Sequence, residues 1–200
     1  MRVLLGPGTF LRAVLASLLC LFLVLPVFAR EQTGVAYDTL VVVYCPSPSC
    51  SAFWPVLKSE LERSETPKLL TGSVVWITRD EFQKGMESRR GYEILLHGDC
   101  TMAAPSTTQK QPRGPLGWVL LVNDQIQPFV YVDCDRVAEM LHRDLRNKTT
   151  AERRRLLARA VSRIVVHEMT HIVMQSSLHG ASGLEKAHVS SSDLLAYKTN

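Results

Sequence analysis

The chain has no internal repeat and no low-complexity tract, which excludes a solenoid and a compositionally disordered protein. It has no cluster of Lys and Arg interleaved with aromatics, and its net charge is only +4 over 200 residues, so nothing directs it to nucleic acid. It has no C-x-x-C pair, so no ready-made thiolate zinc site is written into it. One long stretch, Thr150 to Leu178, contains neither Gly nor Pro. What remains is an ordinary composition, 46% hydrophobic, enough for one domain with a proper core.

The N-terminal residues 1–29 read as a secretory signal peptide. Arg2 and Arg12 supply a positive start, Ala13 to Ala29 carries no charge, and Val27-Phe28-Ala29 is an acceptable cleavage site before Arg30. An uncleaved anchor is the alternative, since the run lies at the short edge of a membrane span. Cys20 follows Leu19 rather than a small residue, which argues against a lipoprotein. Cleavage would remove two arginines and no acids, leaving a net charge of +2 on residues 30–200, read as a single domain. The expected location is secreted or periplasmic, with no stable membrane association after cleavage.

Export bears on the cysteines. Cys45, Cys50, Cys100 and Cys134 remain, an even number in an oxidising compartment, and three pairings are possible. Cys45–Cys50 as a local clamp with Cys100–Cys134 across two strand ends is favoured over a thiolate metal site.

Periodicity points to a mixed α/β (α+β) domain. Strands are expected at Thr39–Tyr44, Ser73–Thr78, Tyr92–Leu96, Gly117–Val122 and Pro128–Val132, the last two a hairpin around Asn123–Ile126. Helices are expected at Ser51–Arg63, Asp80–Glu87 (short) and Asp135–Leu145. Thr101–Gly114 is polar, proline-rich and unpatterned, a loop. Asn147-Lys148-Thr149 is formally a glycosylation sequon and is read as a turn and cap.

The glycine-free stretch holds the chemistry. Thr149 and Glu152 have capping-box spacing, and Leu157, Ala160, Ile164, His167, His171 and Met174 form an apolar helical stripe that can run to about Leu178. Within it stands His167-Glu168-Met169-Thr170-His171, an H-E-x-x-H motif. Residues i and i+4 share a helix face, so both imidazoles can bind one Zn²⁺ at about 2.0–2.1 Å. Glu168 then stands beside the metal, placed to take a proton from an activated water. The alternative is a pair of core histidines with Glu168 at the surface. Burying such groups together without a metal is costly.

A catalytic zinc needs a third protein ligand and an open position. His179 is the expected third ligand, with Glu185, His188 and Asp193 as alternatives. In the compact H-E-x-x-H-x-x-G-x-x-H pattern the third histidine would fall at Ser177 and the glycine at Met174, so this chain is not a regular metzincin. His188 or Tyr197 could stabilise an oxyanion, and Asp193 could orient a ligand histidine.

The stretches Leu96-His97-Gly98-Asp99-Cys100, Leu116-Gly117-Trp118-Val119, Gln127 to Cys134 and His167 to His188 resemble a group of secreted acidobacterial zinc metalloproteases of zincin type. The resemblance covers roughly 92–195, and only the metal motif in it is specific. It implies a twisted mixed sheet over an active-site helix, zinc, and peptidase chemistry with Glu168 as general base. It supplies no substrate. In the group a histidine stands at the place of His179. Glu185 stands where the group has Met, so an apolar floor of the Met-turn kind would be missing there. An edge strand bordering the cleft, here the hairpin 117–132, could hold an extended peptide. The small part after His171 leaves room for a shallow wall and an open cleft. The competing readings are a secreted binding protein with a closed, structural zinc and a metal-free binding module.

Overall fold

The computed structural model describes residues 39–70, 72–82, 90–100, 114–180 and 187–196. All of these belong to one compact unit, Ala36–Asn200. The expected signal peptide, most of the expected helix at Asp80–Glu87, Glu185 and Tyr197 lie outside the described residues.

The elements run β1 (Thr39–Tyr44), α1 (Cys50–Arg63), α2 (Thr66–Leu69), β2 (Val74–Thr78), β3 (Gly91–His97), β4 (Gly117–Val122), β5 (Gln125–Asp133), α3 (Cys134–Leu145), α4 (Thr150–Met174) and α5 (Ser191–Leu195). The fold is α+β, with one five-stranded mixed sheet of order β2-β1-β3-β5-β4. The first four strands in that order are mutually parallel. Only β4, at the edge, runs antiparallel, paired with β5. That antiparallel direction follows from the hairpin connection, because a two-residue turn can join only antiparallel neighbours.

Strand alternation puts Val41 and Val43 of β1, Ile94 and Leu96 of β3, and Val130 and Val132 of β5 in one buried layer. Phe53, Leu57 and Leu61 of α1 and Leu157, Val161, Val165 and Met169 of α4 complete the core. Each set recurs at helical spacing, so a single face of each helix is apolar. Burying one such side chain contributes about 1.5–3 kcal/mol. Glu60 of α1 and Arg159 of α4 add a buried ion pair at 3.4 Å, which fixes how the two helices meet.

The four cysteines of the described residues pair as Cys45–Cys50 and Cys100–Cys134, which leaves no free thiolate among those residues. The second bridge ties the segment after β3 to the first residue of α3, at the C-terminal ends of two neighbouring strands. Among the described residues no helix is long and apolar enough to cross a membrane.

Three boundaries differ from the sequence expectation, each for a local reason. β5 begins at Gln125 rather than Pro128, because Asn123 and Asp124 both take positive φ (50° and 60°) and close the hairpin in two residues. Asp80 to Phe82 form a turn rather than the start of a helix. There the Glu81 carboxylate accepts from the Thr78 backbone N–H at 2.6 Å, and this bond holds its pKa below the ordinary value. The motif helix stops at Met174, four residues short of Leu178. At its other end the capping box forms as expected, with Thr149 and Glu152 each accepting from the other's backbone N–H.

Candidate metal centre

Helix α4 places His167 and His171 one turn apart, with their Nε2 atoms 3.1 Å from each other. The end of this helix is decided by Gln175, which adopts the left-handed conformation (φ 46°, ψ 42°) without being a glycine. Its side chain explains why. The Gln175 amide donates to the Ile126 carbonyl at 3.0 Å and accepts from the Ile126 N–H at 3.2 Å. The β3–β5 ladder starts only at Phe129, so Gln175 stands in for a neighbouring strand at Ile126. Two backbone groups satisfied by one amide offset the strain of a non-glycine αL residue, which is on the order of 1–3 kcal/mol.

The turn at Gln175 does two things for the site. It brings the Ser176 carbonyl within 2.6 Å of His171 Nδ1. A carbonyl only accepts, so Nδ1 carries the proton and the Nε2 lone pair is left facing His167. It also folds the chain back so that His179 stands 5.2 Å from His167 and 4.8 Å from His171, ring centre to ring centre. One ligand atom from each of the three histidines lies within 4.8 Å of the others.

These residues fit a metal ion. Two nitrogens bound tetrahedrally at about 2.0–2.1 Å from one ion would sit roughly 3.3 Å apart. The observed 3.1 Å is close to that. At this distance the His171 Nε2 lone pair can accept from a protonated His167 Nε2 in the metal-free protein, and with both nitrogens unprotonated the two can share one cation.

Glu168 is not at the surface, as two plain core histidines would have required, but 6% exposed. Burial alone pushes its pKa up from the ordinary 4.5 to about 7. It borders a cleft of about 740 Å³ that also reaches His167, His171 and His179. The lining also includes Gly117 to Val119 of β4, and His188, Val189 and Leu194. His188 therefore lines the cleft, but among the described residues neither it nor Asp193 joins the metal cluster. Asp193 instead closes the capping box of α5, accepting from the Ser190 N–H at 2.9 Å.

Gly117 has a role that its sequence context hints at only as a glycine inside a strand. A β-carbon there would run into Ile164 Cγ2 and stand 3.1 Å from both Glu168 Oε1 and the Tyr131 carbonyl. The absent side chain lets the edge strand lie directly on the motif helix. Gly117→Ala is expected to destabilise the fold by about 1–3 kcal/mol through this overlap. Thermal melts would register it as a drop in Tm of several degrees. An unchanged Tm would mean the strand moves away without cost.

Burial of Glu168 also sets a pH dependence for the metal-free chain. Its folded pKa is raised, so the folded state holds the extra proton between pH 4.5 and about 7. Stability therefore falls as pH rises through this window, by on the order of 3 kcal/mol in total. Urea unfolding in the presence of chelator at pH 5 and pH 8 measures the fall, and Glu168→Gln should flatten it.

No protein-family model, no curated protein and no solved structure matches the chain, so the case for its function rests on the three histidines, the buried carboxyl beside them and the cleft they share.

Proposed function

We propose that this chain is a secreted zinc-dependent peptidase. The observation that carries the reading is the convergence of three imidazoles next to a buried carboxyl on the wall of an open cleft. An all-imidazole set suits zinc among the common ions, and three ligands leave a position for substrate or water. The paired cysteines fit an oxidising, exported setting. The antiparallel edge strand lying on the motif helix is the arrangement expected of a zincin.

Zinc held by His167, His171 and His179 would supply a Lewis acid for a peptide carbonyl and for water. The rest is done by the chain. The Ser176 carbonyl keeps His171 in the tautomer that presents Nε2. Glu168, with basicity raised by burial, accepts a proton from the attacking water and hands it to the leaving amine. At the edge of the sheet, β4 has a backbone side that pairs with no other strand among the described residues and can align an extended peptide along the cleft.

The rival reading is a secreted binding protein with a structural zinc. Such a site closes with four protein ligands, whereas the cluster among the described residues has three and opens on a cleft. Metal content and peptide cleavage measured on one purified preparation test the proposal. Near one zinc per chain with chelator-sensitive cleavage is expected. No zinc after refolding with metal present would overturn it.

A further inference from the structure

Arg163 lies on α4 one turn before His167 and lines the same cleft. The same lining carries the apolar residues Leu116, Ile164, Val189 and Leu194. One guanidinium nitrogen, Nη1, donates to the Ala196 carbonyl at 3.1 Å. Nε is shut off from solvent with no acceptor among the described residues. No carboxylate of the described residues lies within the 4.0 Å of an ion pair. Asp193 and Glu65 act on it only at longer range, and neighbouring Arg159 repels it. The other carboxylate on the cleft lining besides Glu168 is Glu139, which is exposed on α3. Desolvation accordingly weakens the hold of Arg163 on its proton.

A partly desolvated cation with no carboxylate of the described residues in contact is costly, and proteins rarely keep one without a use. We propose that the missing partner is a carboxylate of the substrate, so that the cleft selects peptides bearing a negative charge beside the scissile bond. This rests on the peptidase reading and adds a substrate class to it. Four helical residues separate Arg163 from His167, about 6 Å along the axis. An extended peptide covers that in about two residues, which puts the carboxylate next to the bond being cut. An aspartate or glutamate side chain and the free C-terminal carboxylate of a peptide offer the same chemistry, and either can accept a charge-assisted hydrogen bond from the guanidinium.

The test reads binding without turnover, on the zinc-loaded Glu168→Gln protein. The probes are alanine hexapeptides, acetylated and amidated, with one Glu or Gln moved through each position, plus the acetylated all-alanine peptide as its free acid. At one position Glu is expected to bind about tenfold or more tighter than Gln, a charge-assisted hydrogen bond's worth. If the terminal carboxylate is the natural partner, the free acid shows that gain instead. Adding Arg163→Gln should erase the preference while Arg163→Lys keeps part of it, with zinc content reporting that the site still folds. Zinc-loaded protein that binds the peptides with no preference for charge overturns this inference alone, and Arg163 is then only a cap on α5. Absence of zinc, or of all peptide binding, overturns the peptidase reading and this inference with it.

Discussion

In the His179→Ala protein, zinc affinity is expected to fall by well over about 100-fold, the upper range for losing a mere supporting partner of a ligand. The argument is geometric. His167 and His171 sit on a rigid helix with their Nε2 atoms already 3.1 Å apart, so two ligands survive the change. The third comes from a segment outside the helix and is exposed, so its removal takes away a ligand without opening a hole in the core. The fold should therefore persist, with an unchanged metal-free melting curve, while zinc no longer remains through dialysis. Competition with a chromophoric chelator gives the affinity, and circular dichroism supplies the folding control. Retention of full zinc affinity would move the third ligand elsewhere, with His188, already on the cleft lining, as the next residue to change.

Glu168→Gln should do the reverse. Zinc stays bound, and peptide hydrolysis falls by about 10²- to 10⁴-fold, the usual contribution of a positioned general base. Glutamine keeps the size and the hydrogen-bonding shape of the side chain but cannot take up a proton. The substitution also removes a carboxyl that is 6% exposed and whose charge the surroundings disfavour, so the metal-free protein should become more stable above pH 7 even as it loses activity. Opposite movements of stability and turnover are what a functional, strained group produces. A variant as active as the parent would end the general-base assignment. Equal, negligible activity in both proteins with full zinc would favour the binding-protein reading.

Much of this site was legible along the chain. The capping box at Thr149 and Glu152 and the stripe from Leu157 to Met174 are local patterns, and both appear in α4 except that Met174, the last residue of the stripe, is exposed. Pairing of Cys45 with Cys50 was favoured by their short separation, and it is found. The strand stretches show because alternating burial demands alternating residues, and all five occur within a few residues of expectation. Helix α2 was missed, a single turn too short for periodicity to reveal. The stop at Met174 was missed because its αL residue is a glutamine, whose reason for that conformation lies 49 residues away at Ile126.

By itself the sequence determined the start of the motif helix, the H-E-x-x-H spacing and the short set of residues from which a third ligand could come, since these depend on neighbours within a few residues. Tertiary structure alone decided the rest. It folds His179 back onto the two helical histidines, seats Gly117 against Glu168, and places Arg163 on the cleft lining with no carboxylate of the described residues in ion-pair contact. Each of these results depends on segments that meet only after the sheet and the motif helix have packed, and no periodicity along one segment can encode the distance to another.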